Sequence, residues 1–180
     1  EPEEEVKGGG ADKSKAIGKG RDSALDQGWA MVGYPIRLLP RKMDGGITDL
    51  ERWMARDAIA ETIYLFRDSY KVCAARLMGL SFGFPHKHLV MEGIANSIFT
   101  LPCMNPSLLW HCSLVYEAFR LDVKSMAPLF ALTMQALYKR LGRLDVELLD
   151  TAAEWFSLHI SNFSYQWLWD KWTGAADQPP

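Results

Sequence analysis

Apolar residues recur at every third or fourth position along most of the chain after Thr48, a spacing that places them on one face of an α-helix. Polar residues fill the positions between them, so each stretch is amphipathic. No stretch alternates as a half-buried strand between hairpin turns would. The pattern predicts six helices, whose apolar faces are, in order, Leu50, Trp53, Met54 and Ala58; Tyr70, Cys73, Ala74, Leu77 and Met78; Val90, Ile94, Ile98 and Leu101; Leu108, Cys112, Val115 and Phe119; Leu129, Phe130, Thr133, Leu137 and Leu141; and Leu149, Ala152, Ala153, Phe156 and Ile160.

Local signals mark where several of these helices begin and end. Thr48-Asp49-Leu50-Glu51 has the form of a capping box, in which Thr48 accepts from the helix start and Glu51 reaches back. Asn105-Pro106 combines a favoured N-cap residue with proline at the first helical position. Gly79, the Gly83-Phe84-Pro85 turn and Gly142 are typical of helix ends.

The lengths of the helices and of their connections predict the architecture. Six helices of about 12 to 18 residues with short connections favour antiparallel neighbours, in a bundle or a stack of helical hairpins. The fifth helix is expected to begin near Ser125 and the sixth near Asp145, so a helix pair recurs about every 35 to 45 residues, without a residue-level repeat. We therefore expect an all-α fold of stacked antiparallel helical hairpins, an α-solenoid, which is typically a recognition surface.

The domain organisation follows from where large apolar residues begin and stop. Residues 1–28 are mostly Glu, Lys, Gly and Asp, so we expect a disordered linker or tail. Residues 29–47 contain the strip WAMVGYPIRLLP, whose two prolines disfavour helix, so we expect an extended lead-in segment along a groove of the domain. Residues 48–172 are expected to form the helical-hairpin domain and residues 173–180 a disordered end. The start without methionine suggests a piece of a longer protein.

Composition narrows the function. The formal net charge is -2, which lacks the basic excess that a stand-alone nucleic-acid binder uses to neutralise phosphates. Cys73, Cys103 and Cys112 are odd in number and lie in apolar patterns, which favours buried, reduced thiols in an intracellular compartment. No apolar run is long enough to span a membrane.

Two short motifs resemble reactive or metal-binding sites. His86-Lys87-His88 offers two imidazoles, but zinc needs three or four converging ligands, so we expect a solvent-facing helix start instead. His111-Cys112 pairs a base with a thiol, yet neighbours in sequence point to different helix faces, so Cys112 is expected to be a buried structural thiol. We predict neither a metal site nor a cofactor.

The remaining acidic residues give no sign of catalysis. Glu147, Asp150 and Glu154 fall on one helical strip, which we interpret as a solvated face. General acid or base chemistry would need a pocket that shifts the pKa of a carboxyl group. Phosphate-binding loops and nucleophile elbows are also missing from the sequence. We therefore expect a protein that is not an enzyme.

The stretch from Glu154 to Trp172 holds four of the seven tryptophans of the chain. One interpretation places Trp155 in the core, uses Asn162 as a cap or turn, and lets the later tryptophans seal the end of the stack. A second has Trp167 and Trp169 projecting from one side of an extended segment, where they sandwich a methylated purine. We favour the seal, because the stretch lacks the Lys and Arg that a nucleotide's phosphates require.

These residues also carry a family resemblance. WFSLHISNFSYQWLWDKW, residues 155–172, resembles the tryptophan-rich stretch of the large subunit of the nuclear cap-binding complex. PIRLLPRKMD, residues 35–44, and KVCAARLM, residues 71–78, are similar to that family's strand-like lead into its second helical domain and to a helix within it. The spacing onward to PHKHLVMEGIANSIFTLP and ALYKRLGRLD is similar too, so the resemblance covers residues 35–172 in consistent order. Tyr70, Leu168 and Lys171 depart from the family pattern.

The resemblance implies a fold and a set of partners. The fold is a helical-hairpin domain of the initiation-factor-4G middle-domain type, and the implied role is that of a nuclear scaffold that shuttles to the cytoplasm. It would support an RNA-recognition-motif small subunit that binds the 7-methylguanosine cap, and would dock factors for splicing, export and surveillance of RNA. The family-motif residues would act structurally or between domains: Trp155, Phe156, Asn162, Phe163, Trp167, Trp169 and Trp172.

Two alternatives remain open. One is a helical scaffold for translation or mRNA decay that recruits a helicase. The other is direct binding of capped RNA by Trp167 and Trp169. Titration with a cap analogue separates the second alternative from the scaffold hypotheses.

Overall fold

The computed structural model describes residues 37–100 and 106–175, and its folded unit begins at Leu38. All regular structure in these residues is helical, which confirms the predicted all-α class. None of the described helices is long and apolar enough to cross a membrane. The α-helices are α1 Asp49–Leu65, α2 Tyr70–Met78, α3 Lys87–Ile98, α4 Leu108–Tyr138 and α5 Val146–Asn162, and short 3-10 helices lie at Arg41–Asp44, Leu141–Arg143, Trp169–Lys171 and Thr173–Ala175.

The helices pack as a stack of hairpins in two layers. α1 contacts α3 in one layer, and α2 contacts α4 in the other. The chain neighbours α1 and α2, and likewise α3 and α4, pack against each other between the layers, while α5 extends the stack by packing on α4. Short connections between consecutive helices favour this pairing because they bring antiparallel neighbours together. The predicted stack of antiparallel helical hairpins is confirmed.

The close approach of α1 and α3 depends on a glycine. A Cβ atom added at Gly93 of α3 would lie 2.5 Å from Cγ2 of Ile59 on α1, nearer than Cβ atoms approach other heavy atoms. Ile59 is β-branched and stiff at its first side-chain torsion, so it cannot easily turn aside. The two helices therefore meet where one of them carries no side chain. This contact places the buried face of α3 at the centre of the core, with Leu89, Val90, Met91, Ile94, Ala95 and Ile98.

Helix starts follow the capping chemistry of the sequence, with one correction. The Thr48 hydroxyl accepts the Glu51 N–H at 3.2 Å and the Glu51 carboxylate accepts the Thr48 N–H at 2.8 Å, which confirms the capping box. The prediction that α4 starts at Asn105-Pro106 is wrong. Ser107 is its N-cap, because the serine hydroxyl accepts the Trp110 N–H at 3.4 Å. The first helical residue is therefore Leu108.

The predicted fourth and fifth helices form one kinked element, α4. Asp122 has non-helical angles (φ -153°, ψ 76°), and its carboxylate accepts the Ser125 N–H at 3.1 Å, as an N-cap does. Lys87, at the start of α3, forms an ion pair with Asp122. Hydrogen bonds from Lys87 and then Ser125 lower the pKa of Asp122 to about 2. The break lies close to the predicted start near Ser125, so the two predicted helices are present as the two segments of α4 on either side of the kink.

The predicted core face of the first helix is wrong. Leu50, Trp53 and Met54 are exposed, and Ala58 is only half-buried. The buried face of α1 lies on the other side of the helix and includes two polar residues. Its members are Arg52, Ala55, Ile59, Thr62 and Ile63.

Some predictions fall outside the described residues. Among them are the N-terminal tail, residues 29–36 of the lead-in segment, and both Leu101 and Cys103. The domain limits at residues 48 and 172 stay a prediction, and the five α-helices lie inside them. Thr173–Ala175, within the predicted disordered end, forms a short 3-10 helix.

Candidate functional site

Four ionisable side chains meet in the core where the lead-in segment crosses α1 and α3. Asp44, Arg52, His88 and Glu92 are all buried. Arg52 forms ion pairs with Asp44 and with Glu92, and Nε2 of His88 lies 3.1 Å from the Asp44 carboxylate. Burial lowers the pKa of His88. Charges this deep are tolerated because each has an opposite partner, so this buried charge cluster braces three segments against one another.

Glu92 also fastens the lead-in segment directly. Its Oε1 atom accepts the Leu38 N–H at 2.7 Å and the Leu39 N–H at 3.1 Å, while its other oxygen faces Arg52. The side chains of Leu38 and Leu39 are buried. Without Glu92, two backbone donors would lose their hydrogen-bond acceptor inside the protein.

The two histidines of His86-Lys87-His88 serve separate structural contacts. The His86 ring packs edge-on against Phe82, with 5.0 Å between ring centroids, whereas His88 belongs to the buried charge cluster. The expected solvent-facing position is therefore wrong for His88, because Asp44 draws it into the core. The described residues contain no group of three or more His, Cys, Asp or Glu side chains that could hold a metal ion.

The described cysteines are buried, as predicted. Burial raises the pKa of the Cys73 thiol to about 12, and burial followed by the charge of Glu154 raises that of Cys112 to about 11. Both thiols therefore stay protonated and poorly nucleophilic near neutral pH. His111 is turned toward other partners, with Nε2 lying 2.8 Å from the Ser97 hydroxyl and Nδ1 lying 3.0 Å from the Ser107 carbonyl.

The carboxylate strip of the last helix is solvated, as predicted. Glu147, Asp150 and Glu154 are all exposed on α5. Because they face solvent, these carboxylates form the hydrated outer surface of α5.

The tryptophan-rich stretch folds onto itself and onto α4 as an aromatic cluster. Trp155 is completely buried, and its ring meets Phe99 at 5.9 Å and Phe130 at 5.4 Å between centroids. Phe156 stacks on Trp172 at 5.6 Å with nearly parallel rings. Aromatic pairs of these geometries add stabilisation beyond the area they bury. The cluster thus joins the end of α3, the second half of α4 and the chain after α5.

The two tryptophans proposed for base stacking occupy different surroundings. Trp167 packs edge-on against Phe130 at 6.1 Å and against Phe156 at 5.0 Å. Trp169 lies in a 3-10 helix, remains 47% exposed, and donates its indole N–H to the Tyr165 carbonyl at 3.0 Å. The second interpretation, an extended segment with both rings projecting from one side, is wrong, because Trp167 packs into the aromatic cluster and Trp169 lies in a 3-10 helix.

A strained turn after α5 brings the later tryptophans back onto the helix. α5 ends at Asn162, and the Tyr165 N–H donates to the Ile160 carbonyl at 2.8 Å. Ser164 (φ 53°) and Tyr165 (φ 59°) both adopt the left-handed conformation that favours glycine. The bond to Ile160 is that of a Schellman-type helix end, a motif that usually carries glycine at the position of Ser164.

We predict that Ser164→Gly stabilises the protein by about 0.5 to 1 kcal/mol, because glycine adopts the left-handed conformation without steric cost. The free energy of unfolding in urea measures the effect. The matched control is Ser157→Gly in the exposed middle of α5, where glycine should destabilise by a similar amount. A loss of stability in Ser164→Gly would contradict the assigned turn.

His159 lies inside the aromatic cluster. Its ring stacks on Phe130 with 3.6 Å between centroids, and Phe163 lies 4.6 Å away. Burial among these rings disfavours the imidazolium and lowers the pKa of His159 to about 4. The folded protein therefore holds this histidine neutral well below the pH at which the unfolded chain protonates it.

Acid should consequently destabilise the fold through His159. Its folded pKa is below the unfolded value, so the unfolded state binds more protons and stability falls as the pH drops from about 6.5 toward 4. We expect His159→Phe to remove about 2 kcal/mol of the stability lost between about pH 7 and pH 5. His88 and His111 contribute to the remaining loss, since burial lowers their pKa values too. Urea unfolding of both proteins across this range tests the difference, and equal pH slopes would count against it.

The stacked helical hairpins, braced by the buried charge cluster and closed at one end by the aromatic cluster, define an α-helical repeat domain. The MIF4G-like family matches residues 47–180, and the chain belongs to it. The match covers all five α-helices and the aromatic cluster.

Similar proteins from several organisms agree with membership of this family. The chain is 28% identical to nuclear cap-binding protein subunit 1 of Aedes aegypti over 71% of its own length and 16% of the relative. It is 29% identical to the Salmo salar protein of that name, over 74% of the chain and 18% of the relative. It is 23% identical to the Arabidopsis thaliana protein of that name, over 83% of the chain and 18% of the relative. The resemblance indicated by the tryptophan-rich stretch is confirmed, and the chain spans less than a fifth of these relatives.

Proposed function

We propose that this chain is a non-catalytic scaffold domain of the large subunit of a nuclear cap-binding complex. The observation that carries the proposal is the similarity to nuclear cap-binding protein subunit 1 from an insect, a fish and a plant over most of the chain. In this role the domain supports an RNA-recognition-motif small subunit, and that partner holds the 7-methylguanosine cap.

The internal chemistry supports a structural role. Arg52 and Glu92 neutralise each other, and Glu92 is further occupied by two backbone N–H groups. The thiols of Cys73 and Cys112 have raised pKa values. These groups brace the fold, as a rigid platform for other proteins requires.

The aromatic cluster would contribute a contact between domains. Tyr165, Leu168 and Trp169 are exposed at its outer edge, although the rings beneath them are packed. Exposed apolar side chains beside a packed core are typical of a surface that another element covers. We propose that this edge seals the domain against further helices, and that docking of splicing, export and surveillance factors in the nucleus follows from the assembled complex. Shuttling to the cytoplasm is part of the same proposal.

Affinity purification tests the scaffold role. The tagged chain is incubated with nuclear extract, and retained proteins are identified by mass spectrometry. We expect enrichment of an RNA-recognition-motif small subunit, whereas selective recovery of an RNA helicase without it would favour the translation or decay scaffold.

A cap titration tests direct RNA binding. Tryptophan fluorescence of the purified chain is followed while 7-methylguanosine triphosphate is added, with unmethylated GTP as the control. The scaffold proposal expects no saturable change in the micromolar range. Micromolar affinity that disappears in Trp169→Ala would overturn it in favour of direct binding.

A further inference from the structure

The outer face of α1 is unusually apolar. Leu50 and Met54 are 69% and 62% exposed, and Trp53 is exposed beside them. Tyr64 and Leu65 form a second exposed group near the other end of the helix. At 100° per residue these five side chains point away from Ala55 and Ile59, which face the core.

This face reverses the usual arrangement of an amphipathic helix. The inner side of α1 accommodates the buried Arg52 and Thr62, while the outer side carries the larger apolar residues. Single exposed apolar residues are ordinary, but groups of them on one helix face mark an interaction surface. Leu50, Trp53 and Met54 are also three of the four residues that the apolar periodicity of this segment wrongly assigns to the core.

Charge on the face restricts what can cover it. Asp57 and Glu61 are exposed, one turn apart, between the two apolar groups. Their carboxylates repel the phosphates of nucleic acids and of anionic lipid headgroups. They attract lysine or arginine side chains, so the complementary surface is cationic at its centre and apolar at both ends.

The aromatic residues at the two ends are held in place from within the chain. The guanidinium of Arg56 lies 5.3 Å from the centre of the Trp53 ring, and that of Arg67 lies 4.7 Å from the centre of the Tyr64 ring. Cation-π contacts of this kind orient an aromatic ring on the surface. A ring that is already oriented loses less conformational entropy when a partner covers it.

The length of the face matches one helix. The 17 residues of α1 span about 25 Å. The apolar groups are centred about twelve residues apart, about 18 Å along the helix, so a partner helix of similar length would reach both. Helices bind through apolar anchors three, four or seven residues apart, and Leu50, Trp53 and Met54 have the first two of these spacings.

We propose that the outer face of α1 docks an amphipathic helix of a partner protein, apolar at both ends of its contact face and carrying lysine or arginine at the centre. The inference rests on the scaffold role, for which it names one recruiting surface. The two are tested separately, because the experiment below uses a purified peptide and the scaffold role is tested with nuclear extract.

The experiment measures fluorescence anisotropy of a labelled peptide titrated with the full 180-residue chain. The probe is a synthetic helix of about 18 residues with leucines at both ends of one face and two lysines between them. A matched peptide carries two glutamates in place of the lysines. We expect the lysine peptide to bind at least about tenfold more tightly, and the chain variant Asp57→Lys/Glu61→Lys to prefer the glutamate peptide.

Variants of the chain locate the binding face. Trp53→Ser/Met54→Ser should lower the affinity of the chain for the lysine peptide at least about tenfold, because apolar anchors supply most of the binding energy. Leu109→Ser is the matched control, since Leu109 is 65% exposed on α4 and lies outside the face. Circular dichroism checks the fold of each variant, and the charge-swap variant provides the test if the serine variant unfolds.

Several results would overturn the proposal. One is equal affinity of the chain for the two peptides, and another is no binding of the lysine peptide at about 100 μM. A third is a loss of affinity in Leu109→Ser as large as that in Trp53→Ser/Met54→Ser. Sedimentation of the chain alone provides a further check. A dimer that Trp53→Ser/Met54→Ser converts to monomer would assign the face to a second copy of the chain instead. Binding to phosphatidylserine vesicles that the same variant abolishes would assign it to a membrane.

Discussion

Glu92→Ala is expected to lower the free energy of unfolding by about 3 to 5 kcal/mol, as removing one partner of a buried ion pair does. The Glu92 carboxylate is buried against Arg52 and accepts two backbone N–H groups of the lead-in segment. Its removal leaves the guanidinium with Asp44 as its ion-pair partner and deprives Leu38 and Leu39 of a hydrogen-bond acceptor. The segment should then detach before the helices unfold, because this side chain holds both backbone groups.

Urea unfolding, followed by circular dichroism, measures this loss. Glu92→Gln should be less harmful than Glu92→Ala, since its amide oxygen still accepts from the backbone although the charge that Arg52 requires is gone. Glu154→Ala on the exposed strip of α5 is the matched control and should change stability by no more than about 0.5 kcal/mol. Hydrogen exchange at Leu38 and Leu39 should be faster in Glu92→Ala than in Glu92→Gln, which keeps an acceptor for these two N–H groups. Unchanged midpoints for both would refute the bracing role.

Periodicity predicted the helices because most of the chain buries one face of each. The stripe through Cys73, Ala74 and Leu77 and the stripe through Val90, Ile94 and Ile98 both lie in the core. The capping box at Thr48 was predictable because its hydrogen bonds depend on residues three apart in sequence. The start of α4 was not, because Asn105-Pro106 and Ser107 offer competing signals and only the three-dimensional packing selects between them.

The first helix shows where the sequence signal misleads. Hydrophobic periodicity identifies an apolar face but does not say whether that face is covered by the same chain. In α1 the apolar face is outward, and the inward face accepts Arg52 because Asp44 and Glu92 arrive from distant parts of the sequence. A charged residue inside an otherwise apolar run is a sequence signal for a buried ion pair, and Glu92 in the middle of α3 is the clearest example. The sequence alone does not show which of these charged residues form ion pairs with one another.

The tryptophan-rich stretch was predictable in composition but not in path. Trp155 falls on a helical apolar stripe, and the structure buries it. The positions of Trp167 and Trp172 depend on the left-handed turn at Ser164 and Tyr165. Such a turn is usually predicted from a glycine, and neither residue is one. His159 was missed because a lone histidine on an apolar helix carries little signal until its ring is seen against Phe130. The base-stacking hypothesis needed both rings on one side, whereas Trp167 packs against Phe130 and Phe156 and Trp169 stays half exposed in a 3-10 helix.

Trp155→Ala should be the other severe substitution, costing about 3 to 5 kcal/mol. The Trp155 ring is completely buried, and it contacts Phe99 after α3 and Phe130 in the second half of α4. Truncation therefore opens a cavity where three helices meet, in a domain whose total stability is expected to be about 5 to 15 kcal/mol. The denaturation midpoint should fall accordingly, with early loss of the contact between α4 and α5.

Two comparisons separate this packing role from any general sensitivity of tryptophans. Trp155→Phe should cost less than Trp155→Ala, because it keeps an aromatic ring between Phe99 and Phe130, and the indole Nε1 has no hydrogen-bond partner among the described residues to lose. Trp169→Ala should cost under about 1 kcal/mol, since that ring is half exposed and loses one hydrogen bond, to the Tyr165 carbonyl. Equal losses of unfolding free energy in Trp155→Ala and Trp169→Ala would mean that the exposed edge of the aromatic cluster stabilises the fold as much as its buried centre, and would contradict this packing role.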